Sequence, residues 1–435
     1  VSAGRPINAD VPAAEAPPSA PKKVQQKRRP VPGALKGIAA LVAIAVVFIV
    51  AAVIGGSGGS ESSTGSSPAP VPAPAPADSE AAEAPPAQGA EELGYPAFAT
   101  NNTTRVGGSD PAANAAAIAL AVFPSTSPGQ RPAAVTLVSP DDWAGAIAAS
   151  VFMSAPVRAP VLVSGESELP EATAEALEAL DPQGGEATGG AAAIAIGDVA
   201  VPGGEVTRVE AGGAAATAAA VAALRDRLFK DDPAHIVVVP LDRPELAMPA
   251  AAWAARSGDP VLFAAGDELP KPTAAALKRH PGVPVYVLGP SSAISSQAVR
   301  AIAKLGNEVH RVSGEDPVAN AIAFARYADG SFGWNVNDPG HGFVLARSGE
   351  PLNAAAAAPL SASGTWGPLL LTDSATDLPA LLREYFLDVK PGYTTNPTRA
   401  FYNHVWVIGD QEAIDVNQQA EVDELAELTK IGGEG

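Results

Sequence analysis

Three arginines recur at a fixed step: Arg105, Arg208 and Arg311 lie 103 residues apart. Each sits in a related short match, Thr104-Arg105-Val106-Gly107-Gly108, Thr207-Arg208-Val209 and His310-Arg311-Val312-Ser313-Gly314. A guanidinium donates parallel hydrogen bonds from a planar fork, a geometry that carboxylates and phosphates accept. The three are therefore candidates for binding an anionic ligand, and equally for structural salt bridges or carbonyl contacts between repeats. A second group is acidic: Glu166, Glu168, Asp267, Glu268, Asp373 and Asp377 lie in three polar segments, 164–168, 265–268 and 372–377. Such carboxylates complement helix dipoles, or bind a bridging Ca²⁺ through oxygen ligands. A third group is aromatic. Phe332, Trp334, Tyr393, Phe401 and Tyr402 fall in two stretches, 329–342 and 389–404, that have no counterpart earlier in the chain. Rings in loops stack on sugars or anchor a protein partner, or else cap the end of an array. Of these, Trp334, Tyr393 and Tyr402 are the ligand-binding candidates.

Signatures of catalysis are missing from the sequence. The five histidines, His235, His280, His310, His341 and His404, show no H-E-x-x-H spacing and no evident carboxylate partner. There is no G-x-S-x-G elbow, no Walker loop, and no G-x-G-x-x-G after an expected strand. The chain has no cysteine, so a thiolate nucleophile, thiolate metal site or disulfide is excluded. The expectation is a protein that is not an enzyme and needs no cofactor.

The elements that carry these residues follow one order three times. After each arginine comes an alanine-rich helical stretch, at 110–123, 212–229 and 316–328. A short apolar run follows, at 135–139, 236–239 and 343–346. A second small-residue helix then leads to a run introduced by proline: Pro160-Val161-Leu162-Val163, Pro260-Val261-Leu262-Phe263 and Pro368-Leu369-Leu370-Leu371. Next, Leu169-Pro170, Leu269-Pro270 and Leu378-Pro379 each open a helix, with proline expected in the first turn where no amide donor is needed. Each repeat closes on an apolar run ending in Gly197, Gly289 or Gly409. Runs of four or five consecutive apolar, often β-branched residues are the mark of strands buried on both faces. Strands alternating with helices predict α/β units with parallel sheets, three Rossmann-like repeats in tandem.

At Arg311-Val312-Ser313-Gly314-Glu315-Asp316 and Val285-Tyr286-Val287-Leu288-Gly289 the chain resembles the cell wall-binding repeat 2 family, and the similarity extends over residues 104–430. The family's Arg-Tyr pair is replaced here by Pro111-Ala112 and Pro317-Val318. The resemblance implies three modules packed as a pseudo-trimer, which would bring the arginines into a threefold arrangement. It also implies non-covalent attachment to the wall, in some members through an anionic secondary polymer.

Charge is distributed unevenly. Residues 1–36 hold seven of the 28 basic residues and two of the 47 acids, while residues 57–435 hold 21 and 45, a net of −24. An acidic body excludes nucleic acid as a partner, since neutralising phosphates takes Lys and Arg in excess. Between them, residues 37–56 read GIAALVAIAVVFIVAAVIGG without a charge. As a helix this stretch spans roughly 30 Å, the thickness of a hydrocarbon core. Lys22, Lys23, Lys27, Arg28, Arg29 and Lys36 precede it, which predicts a cytoplasmic N-terminus and an extracytoplasmic remainder. Length, and the lack of an A-x-A site after Ile54, favour an uncleaved anchor over a signal peptide. Residues 57–94 are Gly/Ser- and then Pro/Ala-rich, a linker expected to be disordered and extended.

The expected organisation is a disordered basic tail over 1–36, a transmembrane helix over 37–56 and the linker over 57–94. Repeats follow over 95–205, 206–306 and 307–435. The expected function is non-catalytic attachment of a membrane-anchored chain to wall polymer or peptidoglycan. The alternatives are a receptor for a protein or small ligand, with the third-repeat loops as the protein-binding place, or a wall-modifying hydrolase.

Overall fold

A computed structural model describes residues 99–432, apart from 211 and 364–366. The expected tail, membrane span and linker over 1–94 lie outside the described residues. Among the described residues no helix is long and apolar enough to cross a membrane.

The first repeat runs β1 (Thr103–Val106), α1 (Pro111–Val122), β2 (Val135–Val138), α2 (Trp143–Ala149), β3 (Val161–Val163), α3 (Glu171–Leu180) and β4 (Ala193–Ile196). The second runs β5 (Val206–Val209), α4 (Ala214–Phe229), β6 (Ile236–Pro240), α5 (Pro244–Ala247), α6 (Pro249–Ser257), β7 (Val261–Ala264), α7 (Lys271–Arg279), β8 (Val285–Leu288) and α8 (Ser296–Ala303). The third begins β9 (Val309–Val312), α9 (Pro317–Arg326), β10 (Gly342–Arg347), α10 (Leu352–Ala362), β11 (Leu369–Thr372) and α11 (Ala380–Asp388). It ends β12 (Gly392–Tyr393), β13 (His404–Ile408), α12 (Val416–Ala426) and β14 (Thr429–Lys430).

The apolar runs are strands of three parallel four-stranded sheets, ordered β3-β2-β4-β5, β7-β6-β8-β9 and β11-β10-β13-β1. The sheets do not coincide with the sequence repeats. The arginine strand that opens a repeat hydrogen-bonds to the sheet of the repeat before it: β5 to β4, and β9 to β8. The first arginine strand, β1, pairs with β13 of the last repeat. Three repeats are thus closed into a ring by one strand from the beginning of the described chain. Register is the same at all three junctions, with Arg105 opposite Val407, Arg208 opposite Ala195 and Arg311 opposite Val287.

Small residues make the centre. The second helices of the three repeats, α2, α6 and α10, contact one another pairwise, and α10 also packs on α1. Nearly every residue of these helices is buried, most of them alanine. Alanine costs no side-chain entropy in a helix, and its single methyl lets helix backbones approach closely. The opening helices α1, α4 and α9 cover the outer strands β3, β7 and β11 of their own repeats. The prolines of the three Leu-Pro pairs sit one residue earlier than expected. Pro170, Pro270 and Pro379 are N-caps in extended conformation, with φ of −53°, −55° and −54°, so their missing N–H still costs no helical bond.

Candidate functional site

The three arginines act on the loop that leaves the last strand of each sheet. Gly197, Gly289 and Gly409 end those strands with φ of 76°, 123° and 94°, values open to glycine without a Cβ clash. Their amides bond back to the arginine strand at Val209, Val312 and Val106, at 2.9, 2.9 and 3.0 Å. From that strand each arginine reaches the loop carbonyls that the turn frees.

The reach differs from one arginine to the next. Arg105 is 4% exposed and donates to the carbonyls of Gly409 (3.0 Å), Asp410 (2.6 Å) and Ile414 (2.6 Å), and to Gln419 Oε1 (3.0 Å). Burial pulls its pKa below the ordinary arginine value, while the charges of Asp410 and Asp415 push the other way. Arg311 is half-buried and donates to Gly289 (2.5 Å) and Ile294 (2.6 Å). Arg208 is exposed and makes one long bond, to the carbonyl of Val199 at 3.4 Å. All three thus contact carbonyls across a repeat boundary, and Arg208, the exposed one, is held least.

The residues after each arginine position the opening helix. Asp110 accepts hydrogen bonds from Ala112 and Ala113 as the N-cap of α1, and Asp316 accepts from Ala319 as that of α9. An aspartate five residues after the arginine is therefore a helix cap in two repeats. In the second repeat Gly213 takes that place with no side-chain cap. Asn114 and Asn320 accept from the amides of Gly108 and Gly314, then donate across the repeat boundary. Asn114 reaches Asn353 (2.9 Å), which in turn donates to Glu350 (2.5 Å), and Asn320 reaches the carbonyl of Leu246 (3.3 Å). Burial raises the Glu350 pKa above the ordinary carboxylate value, opposed by Arg347.

The acidic loops stand where expected, after β3, β7 and β11, and all six carboxylates are exposed. Among the described residues no group of histidines and carboxylates is gathered in a metal-holding arrangement. The aromatic candidates split into two kinds. Trp334 is 6% exposed, edge-on to Trp253 at 5.5 Å, with the Arg256 guanidinium 5.0 Å over its ring. Phe332 is buried and stacks on Tyr286 at 3.5 Å and 8°. These two rings are core. Phe401 and Tyr402, at 71% and 57% exposure, are surface, with the Tyr402 hydroxyl donating to the Pro397 carbonyl. Tyr393 is half-buried in the two-stranded pair β12–β14.

Histidine pairing could not be read from the sequence. His235 meets Asp259 at 3.0 Å, and His280 meets Asp226 and Asp232 at 3.0 Å each. His310 lies between Glu308 (3.3 Å) and Asp329 (3.5 Å), and His341 meets Asp338 (3.1 Å). The expectation of histidines without carboxylate partners is therefore corrected. Most of these pairs join residues far apart in the chain, where no spacing rule applies.

No family model matches the chain, and no curated protein matches it. Among solved structures, Cwp6 from Clostridium difficile is similar with a TM-score of 0.59 at 20% identity, over 75% of this chain and 48% of that one. Cwp8 from Clostridium difficile is similar with a TM-score of 0.58 at 21% identity, over 75% of this chain and 52% of that one. The chain thus spans about half the length of each, and what it shares with them is the fold of the three-sheet unit.

Proposed function

We propose that this chain attaches to the cell wall through its three-sheet unit, by binding rather than by chemistry. The observation that carries the reading is the fold shared with Cwp6 and Cwp8, two cell wall proteins. The arginine pattern that first suggested wall-binding repeats supports it, since the three arginines occupy one structural position. Arg208, exposed and held by one long bond, and the exposed Phe401 and Tyr402 are the ligand contacts of this reading. Because residues 57–435 carry a net charge of −24, a neutral glycan, or an anionic polymer bridged by a cation, fits better than a bare anionic polymer. Residues 37–56 would hold the chain in the membrane with its N-terminus in the cytoplasm, so that one molecule ties membrane to wall.

The test is co-sedimentation of the purified full-length chain, in detergent, with isolated cell walls. It is run with and without Ca²⁺, and again after chemical removal of secondary polymers. Retention through polymer removal assigns peptidoglycan, and loss assigns the polymer. No retention under any condition defeats wall attachment and leaves a protein partner at the exposed loops of the third repeat as the better account.

A further inference from the structure

We propose that Ser331 is an activated nucleophile, the hydroxyl of a Ser-His-Asp relay with His235 and Asp259, and that it accepts an acyl group from an ester. Wall attachment as proposed above uses none of these residues, so this site is a separate one.

The relay is assembled from two repeats. Asp329 and Phe332 exchange backbone hydrogen bonds of 2.8 and 2.9 Å, leaving Gly330 and Ser331 as a two-residue turn. Gly330 has φ of 60°, the positive value that glycine supplies at the first central position of such a turn. The turn leaves Ser331 exposed, while the next residue, Phe332, is buried with its ring 5.3 Å from that of His235. Ser331 Oγ lies 3.1 Å from His235 Nε2, and His235 Nδ1 lies 3.0 Å from Asp259 Oδ2. Asp259 is 1% exposed and also receives Trp253 Nε1–H at 2.9 Å and the backbone N–H of His235 at 3.0 Å.

The tautomer follows from these partners. A carboxylate only accepts, so in the neutral imidazole the proton belongs on Nδ1, which leaves Nε2 to accept from the serine hydroxyl. An exposed hydroxyl, a base holding it and a buried carboxylate orienting the base are the three roles of a hydrolytic triad, which is recognised by geometry and not by chain order. Holding the turn in place does not require the relay, because its paired backbone bonds and the buried Phe332 already do so. The amides of Gly330 and Ser331 have no hydrogen-bond acceptor among the described residues. A nucleophile's own amide is a natural donor to a developing oxyanion.

The step balances without any added reagent. Ser331 Oγ attacks the ester carbonyl carbon as its proton passes to His235 Nε2, and the carbonyl electron pair moves onto oxygen. The intermediate collapses, the alkoxide leaves with the proton from Nε2, and the acyl group remains on Ser331. Water then attacks the acyl carbon as Nε2 takes its proton; the bond to Ser331 Oγ breaks, Oγ recovers that proton from Nε2, and the acyl group leaves as a carboxylic acid. Because Ser331 stands at the tip of a turn, the leaving group can be large. An ester carried on a polymer is the substrate class that fits.

The full-length chain in detergent would be treated with p-nitrophenyl acetate and, separately, with diisopropyl fluorophosphate, and the modified residue located by peptide mass spectrometry. Acetyl and phosphoryl adducts on Ser331, both lost in Ser331→Ala and in a folded His235→Gln, are the expected result. The absence of cysteine from the chain permits a second readout. In Ser331→Cys the introduced thiol should react with iodoacetamide at pH 6 about tenfold faster than the thiol of Ser291→Cys, an exposed control, because an imidazole partner lowers a thiol pKa. An unmodified Ser331 together with equal thiol rates would overturn the relay. Adducts that persist unchanged in His235→Gln would overturn the role of the base. Wall sedimentation of Ser331→Ala should equal that of the parent chain, so this reading and wall attachment fail separately.

Discussion

The arginine strands β1 and β5 occupy the same slot in their sheets, yet their surroundings are opposite. On β1, Thr103 and Arg105 are 0% and 4% exposed, while on β5 Arg208 is exposed and only Val209 is buried. The difference is one helix. After β13 the chain forms α12, which packs on β1 and supplies Gln419, bonded to both Arg105 and Thr103. Between β4 and β5 there is no helix, so nothing comparable covers Arg208. The strand β9, preceded by α8, is intermediate, and so is Arg311. The same residue is a buried clamp where a helix lies over it and an open cation where none does.

Substitutions can break this ordering, and the largest effect belongs to the ring closure. Arg105→Ala removes four hydrogen bonds and leaves three loop carbonyls without this donor, so a loss of about 3 kcal/mol is expected. Thermal or denaturant unfolding would show it, and a loss below that of Arg311→Ala would reverse the ranking. Arg311→Ala, with two half-buried bonds, should cost about 1.5 kcal/mol in the same measurement. Asp110→Ala removes the side-chain cap of α1 and should cost about 1 kcal/mol. The second repeat does without such a cap, so the value measures what the first gains from it. Arg208→Ala should change stability by less than about 0.5 kcal/mol while weakening wall sedimentation. If stability falls as far as in Arg311→Ala, Arg208 is a clamp after all.

Much of the fold was legible because it rests on local pattern. Runs such as Ile236–Pro240 are short, β-branched and apolar at every position, the mark of a strand covered on both faces, and all five residues are buried. Glycines 197, 289 and 409 marked the turns, since a positive φ after a strand selects glycine. The site was less legible. Trp334 and Tyr402 looked alike as loop aromatics, yet one is under Arg256 and the other in solvent. Asp259 and Ser331 gave no signal at all, because His235 is 24 residues from one and 96 from the other.

The amino-acid sequence alone determined the three repeats, the order of strands and helices within them, and the small-residue character of the central helices. Each of these depends on hydrophobic period and backbone propensity within a few residues. Only the tertiary structure decided that each arginine strand belongs to the neighbouring repeat's sheet and that β1 closes the ring on β13. The backbone hydrogen bonds that make such a pairing are nearly indifferent to side-chain identity, so a strand's partner leaves little trace in its own sequence. For the same reason three equivalent arginines came to differ: a helix more than 300 residues away in the chain buried Arg105, and none covered Arg208.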